Sequence, residues 1–246
     1  MKAQNDIVLI RGLFRGKAYW GDFPHMVQQR FPSRTVRCVE IDGVGERCQE
    51  TSSTTIHDMM EQVRQQIELS AKVDIISISM GGMIAMEWAH HYPHEVNSLV
   101  CINTSAKDFS PFYQRLQPSN YMTIMKALFS AAEEKESMVF GMVSNQPQDP
   151  SIIDCWVALT QQYPLSRANF FRQLLAAARF KIQRPESDLL LICSRHDRLV
   201  SCKTTQAIAH HWHQNYLTHD ESGHDLPLDD PKWLIARLEE WFEKDA

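Results

Sequence analysis

Short apolar runs recur along this chain, each closed by a polar or glycine-bearing turn and followed by a helix-length segment. They are IVLI from Ile7, VRCVEI from Val36, VDIISI from Val73, NSLVCIN from Asn97, DLLLIC from Asp188 and NYLTH from Asn215. Few architectures satisfy strands that alternate with helices in this way. The rhythm implies βαβ units: a three-layer α/β fold with helices on both faces of a mostly parallel sheet of about six strands. Such sheets bind their ligands at the carboxyl ends of the strands.

The helices expected between these runs fall near residues 19–30, 55–69, 82–91, 204–212 and 231–244. The last starts from Asp229-Asp230-Pro231, a cap followed by proline in the first turn. One interval breaks the rhythm. About eighty residues separate the CINTS run from DLLLIC, whereas a crossover needs only about thirty. The excess reads as an inserted helical cap, residues 108–184, on a core formed by 1–107 and 185–246. Its apolar residues Met122, Met125, Phe129, Met138, Phe140, Met142, Phe170 and Phe171 are candidates to line a pocket, or to pack cap helices together.

A length of 246 residues suits one compact unit. The net charge of −5 supplies no footprint for a phosphate backbone or an anionic membrane. A small-molecule partner fits better than nucleic acid. No stretch reaches the length of a membrane span, and the amino terminus lacks a signal-peptide core, so the expected setting is the cytoplasm, as a monomer or homodimer. Six cysteines without CxxC spacing read as reduced packing residues.

The chemistry concentrates in DIISISMGGMIAMEWA, residues 74–89. A parallel strand that turns sharply into a helix can hold one side chain at the tip of the turn, with the helix amino terminus beneath it. That tip is strained, so the residues two before and two after must be small. Ser77 and Gly81 flank Ser79 at those positions. A serine hydroxyl needs a base to take its proton and an acid to orient the base.

Among eleven histidines, His224 stands in a turn between the last strand and the last helix, where a loop reaches the same sheet edge as Ser79. His219 is the alternative. Asp197, after the DLLLIC strand, completes the chain order Ser79, Asp197, His224, with Asp108 as the fallback acid. Oxyanion donors are expected at the Met80 N–H, behind the nucleophile, and the Leu13 N–H, after the tight turn at Gly12.

With these motifs in place, the sequence resembles the α/β-hydrolase superfamily, the serine esterase and lipase group with a helical cap. The elbow motif falls on Ser77 to Gly81, the acid loop on Ser194 to Val200, and the histidine motif on Gly223-His224; the turn DGVGER at Asp42 resembles the family's loop before the second helix. Two departures are visible: Arg11-Gly12 stands where the family often has His-Gly, and Ser77 replaces the elbow's first glycine. The antiparallel hairpin with which the family often begins is not expected before IVLI. The resemblance implies a serine hydrolase, carboxylesterase-like, cleaving esters or thioesters of small to medium apolar acyl groups without cofactor or metal. Two other readings stay open. One is a lyase or carbon-carbon bond hydrolase using the same triad on an acidic substrate, with Arg11 binding its carboxylate. The other is a non-catalytic small-molecule receptor.

Overall fold

A computed structural model describes residues 5–243. Its strands are β1 (Asp6–Ile10), β2 (Val36–Val39), β3 (Val73–Ile78), β4 (Val96–Ile102), β5 (Asp188–Ser194) and β6 (Tyr216–His219). They form one sheet in the order β2-β1-β3-β4-β5-β6, and every pairing is parallel. The order reverses direction at β1, so β1 and β3, whose carboxyl ends carry Arg11-Gly12-Leu13 and Ser79, lie side by side.

Because both faces of a parallel sheet are covered, its strands are apolar almost throughout and alternate side chains serve opposite cores. Val8, Ile10, Ile75, Leu99 and Leu191 pack against Met59, Met60 and Val63 of α2 (Ile56–Arg64), Ile84, Met86 and Trp88 of α3 (Met80–His91), and Ile208 of α9 (Cys202–His211). Ile7, Leu9, Ile76, Ile78, Val100 and Ile192 face the other way. They meet Phe23 and Val27 of α1 (Phe23–Arg30), Leu226 of the short α10 (Leu226–Asp229) and Leu234 and Leu238 of α11 (Pro231–Glu243). Thus α3 is apolar nearly all round, with Glu87 and His91 on its outer side, because it is buried between the sheet and α2.

The helix limits differ from the sequence expectations where local chemistry intervenes. Residues 17–20 form a separate 3-10 turn, and Gly21, at φ 57°, ends it, so α1 begins only at Phe23. The Thr55 hydroxyl caps α2 by accepting from Asp58 N, and the helix stops at Arg64. In α11 the Asp230 carboxylate accepts from Trp233 N at 3.0 Å; the expected last residue, Lys244, lies outside the described residues.

Between β4 and β5 run five helices: α4 (Phe112–Arg115), α5 (Tyr121–Ala127), α6 (Ala132–Val143), α7 (Pro150–Gln162) and α8 (Arg167–Arg179). This segment has its own small core of Phe140, Ile153 and Trp156, which also takes in Tyr19 from the β1–α1 connection. It is fastened to the loop after β5. Gln117 N donates to Leu199 O at 2.9 Å, Gln117 Nε2 to Asp197 O at 2.8 Å and Asn120 Nδ2 to Arg198 O at 2.6 Å. Across β5 and α9, the sulfurs of Cys193 and Cys202 are in contact with Cα atoms 5.3 Å apart, within disulfide reach. Scattered spacing concealed that pair; the other four cysteines are free.

Candidate active site

The β3–α3 turn has the strain its sequence implies. Ser79 sits at φ 58°, ψ −123°, the left-handed side of backbone space that a side chain rarely adopts. Three hydrogen bonds hold it there. Ser79 N donates to Ile102 O at 2.8 Å, while Ser79 O accepts from Gly82 N at 3.0 Å and from Thr104 Oγ1 at 3.0 Å.

Gly81 is required because a Cβ there would meet the carbonyl oxygens of Ile10 and Arg11, the latter at 2.5 Å. Ser77 takes the place of a glycine without conflict. Its hydroxyl is buried and donates to Val100 O of the neighbouring strand at 3.1 Å.

Two loops converge on this tip. After β5, Asp197 is buried, and its Oδ1 accepts from Leu199 N at 2.8 Å and Val200 N at 2.9 Å. Its Oδ2 lies 2.7 Å from His224 Nδ1. The carboxylate is thus anchored by its own loop on one oxygen and offers the other to the imidazole, which orients the ring and leaves Nε2 as the outward nitrogen. His224 and Ser79 share the wall of one cavity. No hydrogen bond joins them among the described residues, as is common in ligand-free sites that tighten on substrate.

The alternative residues are placed elsewhere. His219 Nδ1 accepts from Ser222 N at 2.9 Å and its Nε2 lies 3.2 Å from Asp230 Oδ2, so both ring nitrogens are engaged in shaping the loop. Asp108 is exposed.

The two expected oxyanion donors are open. Met80 begins α3, so its N–H has no acceptor within the helix. The Leu13 N–H makes no backbone hydrogen bond among the described residues, whereas its neighbour Phe14 N donates to Gln173 Oε1 at 2.9 Å. Gly12 lets this loop lie against the elbow: a Cβ there would sit 2.8 Å from Ser79 Cβ.

Arg11, considered as a ligand for a substrate carboxylate, is paired within the protein. Its Nη1 and Nη2 donate to the two oxygens of Asp225 at 3.1 and 2.6 Å, both residues are buried, and the guanidinium lies 4.7 Å from the Trp20 ring centre. The fork ties the loop carrying Leu13 to the residue following His224.

Asn103, which the sequence reading passed over, performs a similar service from β4. At φ 50°, it donates to His224 O at 2.8 Å and Ser194 Oγ at 3.0 Å, and accepts from Ser194 N at 2.7 Å. An asparagine closing an apolar strand was the available signal, since asparagine tolerates that conformation better than most residues.

The cavity at this edge has a volume of about 170 Å³ and is mainly apolar, roofed by residues of α4, α5, α6 and α8. Of the eight methionines and aromatics considered for its lining, only Met142 and Phe170 belong to it. Phe140 is buried in the core of the inserted segment, Met138 faces a separate recess, and Met122, Met125, Phe129 and Phe171 are exposed. Helical spacing places some residues of each helix inward and others outward, and apolar type alone did not separate them.

Away from this edge, the Glu87 Oε1 lies 3.1 Å from both His57 Nδ1 and His91 Nε2 on the outer α2–α3 surface. These three residues are grouped closely enough to share a metal ion.

The sequence pattern of the alpha/beta hydrolase family matches residues 7–237. The chain belongs to the alpha/beta hydrolase family. Solved structures of similar fold include a thermophilic esterase from Thermogutta terrifontis, with a TM-score of 0.73, 16% identity and coverage of 98% of this chain and 90% of that one. A lipase candidate, lip1 of Acinetobacter baumannii, superposes with a TM-score of 0.77 at 18% identity, covering 100% and 87%. The abhydrolase domain-containing protein abhd-5.2 of Caenorhabditis elegans is 31% identical over 107 residues, 41% of this chain and 23% of that protein. No described helix is long and apolar enough to cross a membrane.

Proposed function

We propose that this hydrolase cleaves carboxylic esters or thioesters of small acyl groups through a covalent acyl-enzyme, with the β4–β5 helical segment acting as a cap over the pocket. The reading rests on His224, which lies in the wall of the cavity onto which the strained Ser79 opens, with Asp197 Oδ2 2.7 Å from its Nδ1.

His224 Nε2 takes the Ser79 proton as Oγ attacks the carbonyl carbon. The new oxyanion lies toward the Leu13 and Met80 N–H groups, at the positive end of α3. His224 then returns the proton to the leaving alkoxide or thiolate. Water, deprotonated by the same imidazole, attacks the acyl-enzyme and regenerates Ser79. Asp197 holds the ring in orientation and stabilises its charged form. A cavity of about 170 Å³ is comparable to the roughly 150 Å³ apolar cavity that accepts benzene, which favours short acyl groups. The Arg11 fork is occupied by Asp225, so the acidic-substrate reading loses the residue on which it rested.

The test is turnover of p-nitrophenyl butyrate. Ser79→Ala is expected to lose several orders of magnitude in kcat, the scale on which a nucleophile acts, while circular dichroism and the unfolding midpoint stay close to those of the parent. Undiminished turnover in a folded Ser79→Ala protein would contradict the proposal.

A further inference from the structure

Charged residues in the wall of a small apolar cavity require an account, because an unpaired buried charge is costly. Four cations line this one: Arg11, Arg15, Arg115 and Lys135. Arg11 is neutralised by Asp225. Arg115 directs three of its five N–H donors to Ala177 O, Ala178 O and Ser105 Oγ, which fastens the end of α8 to the loop after β4 through neutral acceptors alone.

Arg15 and Lys135 are different. They share one carboxylate, Glu136, which is 1% exposed. Its Oε2 accepts from Arg15 Nη1 at 2.7 Å and its Oε1 from Thr160 Oγ1 at 2.7 Å. That leaves the Lys135 ammonium at 4.0 Å from Oε1, too far for a hydrogen bond. Arg15 itself is clasped between rings, 4.1 Å from the centre of Tyr19 and 4.4 Å from that of Trp156. Its Nη2 is buried and has no hydrogen-bond partner among the described residues.

Two cations against one carboxylate leave the cluster with an excess positive charge, a buried guanidinium nitrogen without a partner, and a half-buried ammonium that makes no hydrogen bond among the described residues. Desolvation is the largest influence on both cations. For Arg15 the neighbouring Glu136, Tyr19 and Asp225 together outweigh it and hold the guanidinium protonated more firmly than usual. For Lys135 desolvation prevails, with Arg15 adding to it, and the ammonium gives up its proton more readily than an exposed lysine would. A further anion beside them would supply both missing partners.

Resting on the esterase reading of the same cavity, we propose that the natural substrate carries a carboxylate or similar monoanion away from the scissile carbonyl, received by Lys135 and Arg15. Ser79 and this cluster line the same cavity of about 170 Å³, so one small substrate can meet both. The preferred class is therefore a short ester with one anionic end.

The experiment compares kcat/KM for anionic and neutral esters of matched length. Mono-p-nitrophenyl adipate against p-nitrophenyl hexanoate places the charge on the acyl side, and 4-butanoyloxybenzoate against phenyl butyrate places it on the leaving-group side. In one of the two pairs the anionic ester is expected to lead by about 10- to 100-fold, the range of a charge-assisted hydrogen bond. In Lys135→Gln that ratio falls toward one, and Lys135→Arg restores most of it. Equal or better rates for the neutral ester in both pairs, or a ratio unmoved by Lys135→Gln, would overturn the proposal.

Calorimetric titration with hexanoate and hexanamide separates the two readings. A preference for hexanoate without turnover of any ester leaves the anion site standing and removes the esterase. Ester turnover without anion preference in either assay does the reverse.

Discussion

Replacing Asp225 by alanine strands the Arg11 guanidinium in the protein interior beneath the Leu13 loop. The pair makes two hydrogen bonds, at 3.1 and 2.6 Å, between residues that are 5% and 2% exposed. Screening by water is therefore slight, and the exposed-pair value of under about 1 kcal/mol does not apply. Removing one partner of a buried pair costs about 3–5 kcal/mol, because the remaining charge stays desolvated. Urea unfolding of Asp225→Ala should show a loss on that scale. The double variant Arg11→Met/Asp225→Leu, which removes both charges and keeps apolar volume, should recover most of it.

Activity should respond separately, since Arg11 precedes the Gly12-Leu13 turn. With the fork gone, kcat on p-nitrophenyl butyrate is expected to fall by about 10²–10³, as for loss of one oxyanion donor. A single variant within about 0.5 kcal/mol of the parent, or a double variant as unstable as the single, would refute the assignment of the pair as a buried tie.

Two further outcomes follow from the same contacts. Asn103→Ala removes the bonds to Ser194 and the His224 carbonyl and puts a less tolerant residue at φ 50°; a loss of about 2–3 kcal/mol with reduced kcat is expected, and unchanged values in both would contradict its positioning role. Glu95 is held below the ordinary carboxylate range, chiefly by its hydrogen bond with Arg64, with Trp88 Nε1 assisting. A depressed carboxylate contributes stability above the unfolded value, about pH 4.3, and loses it as pH falls through the lower folded value. The difference in thermal midpoint between parent and Glu95→Gln should be present at pH 6 and shrink by pH 3; a difference independent of pH would rule out the linkage.

The sheet was legible because burial on both faces writes each strand as an unbroken apolar run, as in Val73–Ile78, where every residue is buried. The elbow was legible for a steric reason. Only a small residue fits where Gly81 faces the Ile10 and Arg11 carbonyls, and that demand is local to five residues. The placement of Asp197 and His224 followed from strand order, because loops after neighbouring parallel strands emerge at one edge.

What escaped the sequence reading depends on partners far away in the chain. Arg11 meets Asp225 across 214 positions, and Asn103 reaches residues 91 and 121 positions onward. No local pattern announces either contact. The same holds for Arg15 and Glu136, separated by 121 positions, whose pairing leaves Lys135 over. The start of α1 was misplaced because the 3-10 turn over residues 17–20 mimics a first helical turn until Gly21 interrupts it.

The proposed chemistry turns on Ser79 being a nucleophile activated by His224. Reaction with a fluorophosphonate probe, followed by peptide mass spectrometry, tests it without a known substrate. One probe per chain is expected, attached to Ser79, with labelling abolished in Ser79→Ala and slowed by at least about 10²-fold in His224→Ala, the scale of general-base assistance. Absence of labelling in the folded parent protein, or attachment at another residue with Ser79 unmodified, would contradict it.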